Sequence, residues 1–328
     1  RAAAMAPRPV LALGAAAALG AAWWHQQPGL GARYGPQEAL VCAARAACEP
    51  DWRTFFYPMD DRELDGFPWA HHTDDQRFKN LEQMSRRCAE VNAAGSVPII
   101  LHVGANNMKK EFEVYQYMLK ALKAPHQLVL VEPNTKVIPD LERRAASLGD
   151  IGGHAPKVIN AAVCPPGWKG LSLYVPIADK ILDDYPFHRL LSRLGVINVA
   201  SLSEVASLDY DHTVTALKLN HHIPEIREEY IERVPIRCAT PADLLAEVKA
   251  SSAEVAYLAV DTEGFDAELV PLFFDLPDFR PPVMMFEWAG HHKNSTDKVD
   301  ALARLVKTLH GRGYELRKEY ENLVGKQA

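Results

Sequence analysis

The residues of this chain with the most chemistry in them are carboxylates that end apolar runs. VAYLAV is followed at once by Asp261, Thr262, Glu263 and Gly264, and VMMF closes on Glu287. Each run has the length and side chains of a buried strand, so three acids fall at the carboxyl ends of two strands, where open α/β sheets bind ligands. There they can take a proton from an alcohol, orient a substrate or hold a divalent ion. For Glu263 the alternative is support of the turn at Gly264. A fourth acid, Glu132, ends QLVLV ahead of Pro133 and Asn134. In that place a carboxylate can accept both hydroxyls of a ribose, an ordinary exposed acid after a strand being the other reading. PIILHV runs into Gly104, Ala105, Asn106, Asn107 and Met108. A turn that opens on a residue without Cβ lets the backbone approach a ligand, with amide groups and a helix start facing it. Ala161 and Ala162 in VINAAV suit an adenine ring at the sheet edge or plain core packing.

Elements must hold these residues in place. Short apolar runs alternating with amphipathic stretches predict a parallel sheet covered by helices. Strands are expected over Pro98 to Val103, Gln127 to Glu132, Lys157 to Val163, Ala256 to Asp261, Val283 to Glu287 and Tyr314 to Lys318. Helices are expected over Lys109 to Lys123, Lys136 to Leu148, Pro241 to Ala250, Ala267 to Phe274 and Asp297 to Arg312, with Thr240 or Pro241 as a helix start and Asp243 in its first turn. Residues 96–328 form the main domain on this reading. Residues 25–95 are a loop-rich cap whose helical periodicity is confined to Phe78 to Val91. The segment from Trp168 to Pro235 lacks a strand-helix rhythm and is read as an insertion over the ligand edge, where a substrate-selecting lid belongs.

The 328 residues include 36 basic and 42 acidic side chains, for a net charge of -6. That balance lacks the cationic excess that draws a chain onto nucleic acid, so no nucleic-acid partner is expected. From Met5 the chain carries Arg8, an apolar stretch from Val10 to Ala22 and then Trp23 and Trp24. Residues 1–24 therefore read as a secretory signal peptide, or as a short signal anchor tethering the protein to an ER or Golgi membrane. An organelle transit peptide is a further alternative. Cys42 and Cys48 lie close enough to bridge a short loop, whereas buried packing is expected of Cys164 and Cys238.

Taken in order and spacing, HVGANN, LVEPN, INAAV, TPADLL, VDTEGFDAEL and VMMFE resemble the FkbM family of S-adenosylmethionine-dependent methyltransferases over about Val97 to Glu287. The resemblance implies a Rossmann-like class I methyltransferase fold: a mostly parallel seven-stranded sheet, helices on both faces and a reversed last strand. It implies O-methyl transfer to a hydroxyl of a small molecule or glycan. It also implies S-adenosylmethionine held by the segment of His102, Gly104, Ala105 and Asn106, by Glu132, Pro133 and Asn134, and by Ala162. Asp261 and Glu263 become the base or acceptor-orienting groups, since methyl transfer is an in-line displacement in which the protein aligns an oxygen and removes its proton. His102 stands where the family has Asp, Met108 where it has Gly, and Ala259 where it has Lys. A binding domain that kept the fold and lost turnover is thus one alternative. A divalent ion on Asp261, Glu287 and His291 is another, although the histidine spacing matches no known zinc motif.

Overall fold

A computed structural model describes residues 80–327 apart from 110, 194–201, 203, 204, 222, 288–295, 320 and 321. The signal segment, most of the expected cap, Cys42, Cys48 and His291 lie outside the described residues.

The chain enters through α1 (Leu81–Ala93), which buries Met84, Cys88 and Val91, one apolar stripe at helical spacing. Then follow β1 (Ile99–Val103), α2 (Phe112–Ala121), β2 (Gln127–Val131), α3 (Ile138–Leu148) and β3 (Lys157–Ile159). After an excursion the pattern resumes with α7 (Pro241–Glu247), β8 (Val255–Val260), α8 (Asp266–Phe274), β9 (Val283–Glu287), α9 (Thr296–Gly311), β10 (Tyr314–Glu319) and β11 (Asn322–Gln327). β1 and β8 are buried along their whole length, as strands covered on both faces must be. Among the described residues the main sheet has seven strands in the order β10-β11-β9-β8-β1-β2-β3. β11 runs antiparallel to both its neighbours and the other pairings are parallel. This is the class I methyltransferase fold with its reversed last strand, and β11 is an element the sequence pattern had not delimited.

Register does the positioning. Val103 pairs with Val131 on one side and Val260 on the other, and Val260 pairs with Phe286. The next residue on each strand is therefore Glu132, Gly104, Asp261 or Glu287, in one row across the sheet. The chain order reverses between β1 and β8, which opens the crevice where such folds take their ligands.

Three expectations are corrected. Lys157 to Val163 is not one strand. The Asn160 amide donates to the carbonyls of Glu132 and Pro133 at 2.8 and 3.2 Å, and the chain turns there. β4 (Ala162–Val163) then leaves the main sheet to pair in parallel with β7 (Cys238–Ala239). The insertion has order of its own. It contains β5 (Ser172–Pro176), α4 (Ala178–Asp184), α5 (Pro186–Arg193), α6 (Tyr210–Asn220) and β6 (Ile231–Pro235), with β5 and β6 antiparallel. Two of its three helices are only seven and eight residues long, and it packs around its own cluster of Ile181, Leu202, Leu217, Ile223 and Tyr230, so no long period marks it. Finally, Cys164 and Cys238 do not merely pack: they form a disulfide. Their separation of 74 residues hid the pair, and the β4–β7 pairing brings their Cα atoms to 5.5 Å.

Candidate active site

Gly104 opens the turn after β1 at φ +81°, and a Cβ on it would lie 1.6 Å from the backbone carbonyl oxygen of Asp261. No side chain fits there, because the ends of β1 and β8 touch: the Asp261 N–H also donates to the Val103 carbonyl at 2.9 Å. The turn and the acid segment are thus one backbone junction.

Glu132 is only 6% exposed. One of its oxygens accepts the Asn106 N–H and the other the Asn134 N–H, both at 2.7 Å. The carboxylate therefore clamps the loop after β1 to the loop after β2. Burial pushes its carboxyl up to about 7, against the pull of those two N–H groups toward the charged form.

The loop from Gly104 to Glu111 delays α2 by most of a turn relative to expectation, because Asn106 and Met108 stand at φ 44° and 54°. Asn106 Oδ1 accepts the Asn107 N–H at 2.6 Å, Asn107 Oδ1 accepts the Lys109 N–H at 2.9 Å, and Arg144 of α3 donates to the Asn107 carbonyl at 2.6 Å. Met108 keeps the left-handed backbone suited to glycine and is wholly buried, in a core cluster with Tyr115, Met118 and Leu141. The backbone cost of about 1–2 kcal/mol is met by roughly 2 kcal/mol from burying the side chain. His102 is likewise absorbed. It is 3% exposed and stacks on Tyr115 of α2 with ring centroids 5.4 Å apart.

On the other side of the junction Glu263 and Gly264 take φ 53° and 97°. This turn is pinned by Asp266, a fully buried residue at the start of α8. Its carboxylate accepts the Thr262 hydroxyl at 2.9 Å, the Thr262 N–H at 3.3 Å and the Glu287 N–H at 3.1 Å. From the insertion, His212 of α6 brings Nε2 to 3.9 Å from Glu263 Oε2. Asp266, Arg144 and His212 were not singled out from sequence. Asp266 had a local signal, an acid four residues after Thr262 at a helix start, whereas Arg144 and His212 reach their partners only through the fold.

The ends of β1, β2 and β8 share one cleft, open to solvent, which His212, Asp266 and Arg144 do not line. Its wall includes His102, Gly104, Ala105, Asn106, Glu132, Pro133, Ala162, Asp261 and Glu263, so the structure brings together nearly every residue expected at the site. Asn134 stands behind the wall, where its Oδ1 accepts the Lys136 N–H at 3.1 Å. Glu287 does not line the cleft. The insertion contributes Leu173, Ala206, Ser207 and Leu208 to the wall, so the segment expected to be a lid borders the cleft. Among the described lining residues Glu111, Glu132, Asp261 and Glu263 outnumber a single Lys109, so the cleft is an acidic one. No group of three His, Cys, Asp or Glu residues among those described is placed to hold a metal ion.

No protein-family model matches the chain, and no curated protein matches it. Solved structures do. It is similar to the O-methyltransferase TomG of Streptomyces achromogenes, involved in tomaymycin synthesis and solved with SAM, at 13% identity over 95% of this chain and 96% of that one, with a TM-score of 0.35. An O-methyltransferase from Bacillus cereus in complex with SAH matches at 10% identity over 84% and 94%, with a TM-score of 0.32. A precorrin-6y C5,15-methyltransferase from Geobacter metallireducens matches at 9% identity over 75% and 86%, with a TM-score of 0.31. At identities and scores this low the assignment rests on strand order. By that order the chain has the Rossmann-like class I methyltransferase fold, its acids and its glycine turn meeting at the crevice between β1 and β8.

Proposed function

We propose that this protein is an S-adenosylmethionine-dependent O-methyltransferase of the FkbM type, acting on a hydroxyl of a small molecule or glycan. The observation that carries the reading is Glu132. It is a buried carboxylate at the end of β2, level in register with Gly104 and Asp261, and its oxygens keep lone pairs beyond the two backbone N–H groups they accept. Those lone pairs suit the two hydroxyls of a ribose. Ala161 and Ala162 lie on the cleft wall where an adenine would rest, and the Asn106 loop faces the methionine end. Bound S-adenosylmethionine supplies an electrophilic methyl on a sulfonium. An acidic cleft favours that cation and disfavours a phosphate or carboxylate acceptor, which leaves neutral hydroxyl compounds as the acceptor class. Asp261 and Glu263 align the acceptor oxygen.

The reading extends to the compartment. A disulfide between Cys164 and Cys238 supports folding in an oxidising lumen, in line with a secretory N-terminus. No helix among the described residues is long and apolar enough to cross a membrane, and a tether would reside in residues 1–24.

Calorimetric titration of S-adenosylmethionine into the full chain tests the assignment. Micromolar binding is expected, weakened about 100-fold or more in Glu132→Ala, which loses two charge-assisted hydrogen bonds of roughly 1.5–3 kcal/mol each. An Asp261→Asn variant, which keeps the ribose contacts and loses one of the four acidic charges, should weaken S-adenosylmethionine far less than Glu132→Ala does. Absence of binding at millimolar concentration would overturn the reading.

A further inference from the structure

Besides its acids the cleft has an apolar wall. Leu173, Ala206 and Leu208 of the insertion line it, together with Phe265 and Leu269 from the chain that follows the acid turn. Leu173 is buried, and Ala206 and Leu208 pack in the same small cluster, so the three make one continuous surface. Backbone hydrogen bonds between Tyr174 and Ser207, at 2.8 and 3.3 Å, hold that surface against β5. From Leu208 the chain passes through Asp209 into α6, whose His212 comes to 3.9 Å from Glu263. The apolar surface therefore ends beside the acid turn. The one polar side chain in the segment is Ser207, and its hydroxyl oxygen already accepts the Asp209 N–H at 3.2 Å. With Glu132, Pro133 and Ala162 assigned to the cofactor, this surface and the acid turn are left to face the acceptor. A sugar ring carries several hydroxyls, and each one set against such a surface loses its water without gaining a partner. A single added hydroxyl costs roughly 100-fold in an apolar pocket. An aromatic ring suits the same ground, with apolar faces for the wall and one hydroxyl at its edge for Asp261 or Glu263.

We propose that the acceptor is a phenol, its ring lying on Leu173, Ala206 and Leu208 and its hydroxyl meeting the acid turn. The proposal rests on the methyltransferase reading and narrows the acceptor within it from any hydroxyl compound to an aromatic one. In the step, the phenol O–H proton passes to a carboxylate of the acid turn and the freed oxygen electron pair forms the O–CH₃ bond. The C–S bond breaks, and its electron pair stays on sulfur as a thioether. One positive charge on the sulfonium and one negative charge on the carboxylate disappear together. An apolar wall that keeps water from the reacting groups favours such a loss of charge, because it solvates the charged reactants less well than water does. A phenol also yields its proton near pH 10, as tyrosine does, and an aliphatic hydroxyl holds its proton far more tightly, so the phenol is the better match for a carboxylate base.

The test uses the full chain saturated with S-adenosylhomocysteine, whose own binding is measured first by calorimetry. 4-Ethylphenol and methyl β-glucoside are then titrated into that complex. 4-Ethylphenol should bind at millimolar concentration or below, and the glucoside should show no saturation at concentrations about tenfold higher. Leu208→Gln should weaken 4-ethylphenol about tenfold while S-adenosylhomocysteine binds as before, and Leu208→Met should keep the native affinity for both. The proposal is overturned, with the cofactor reading intact, if the glucoside binds as well as 4-ethylphenol or if neither binds. It is overturned in the same way if 4-ethylphenol binds only when S-adenosylhomocysteine is absent, which would give the apolar wall to the cofactor, or if Leu208→Gln binds it at full strength. If S-adenosylhomocysteine itself does not bind, the cofactor reading fails and this proposal falls with it.

Discussion

Glu132 clamps two loops with the same two oxygens that are proposed to meet a ribose, and its pH behaviour follows from its burial. Its carboxyl is raised to about 7 from an ordinary 4.5, so the folded protein binds more protons than the unfolded chain between those values. Stability from this group is full below about 4.5 and is lost as pH rises through 7, by about 3 kcal/mol in all. Ribose hydroxyls donate to the charged form, so the sign for the ligand is opposite: S-adenosylmethionine affinity should rise from pH 6 to pH 8. Calorimetry across that range checks it, and a flat profile would show that the carboxylate does not meet the ligand. At Gly104 the constraint is steric. Gly104→Ala puts a methyl 1.6 Å from the Asp261 carbonyl at φ +81°. It should destabilise the chain by about 3 kcal/mol or more in denaturant unfolding; an unchanged midpoint would mean that the junction can open. Both residues were legible in the sequence, since a glycine and an acid after apolar runs carry their meaning locally. Met108 was legible as a departure and not in its consequence. That its side chain would turn into the core while its backbone stayed left-handed depends on Tyr115 and Leu141, which lie on other elements.

Among the elements, the sheet was readable and the lid was not. Buried parallel strands announce themselves as apolar runs, and the helix at Pro241 announces itself by Thr240 and Asp243, which form a reciprocal capping box. Those hydrogen bonds from Thr240 hold the Asp243 carboxyl below its ordinary value. The lid carries one such signal, the Asp209 cap of α6, but its two strands are half exposed and pair with each other, and its hydrophobic residues fall into two small clusters. Among the described residues its links to the sheet domain include the β4–β7 pair, the disulfide, an ion pair between Lys136 and Glu232 and the approach of His212 to Glu263. Closing a loop of this length restricts the unfolded chain by about 4 kcal/mol in the entropy model. Cys164→Ser should therefore loosen the segment between residues 164 and 238 first. Hydrogen exchange is expected to quicken in α4 and α6 while β1, β2 and β8 stay protected. Uniform quickening over the whole sheet would mean that lid and sheet unfold as one.

At the scale of the whole molecule, the topology gathers acids from one side of the crevice, the buried Glu132 carboxylate from the other, and residues of the insertion along the same wall. The disulfide suits the oxidising lumen proposed for this protein. Peptide mapping without reduction, on protein from its native source, should recover Cys164 joined to Cys238; free thiols at both positions would contradict a secretory location. The buried Cys88, its thiol pushed up to about 12 by burial, should remain unmodified by alkylating agents in the folded protein. The two roots of the lid stand 5.5 Å apart between Cα atoms, a gap that one or two residues can span. The lid is thereby a cassette. Its sequence can be lengthened, shortened or exchanged without moving a strand of the main sheet, so on the proposed reading the acceptor can change while the residues at the ends of β1, β2 and β8 keep their places.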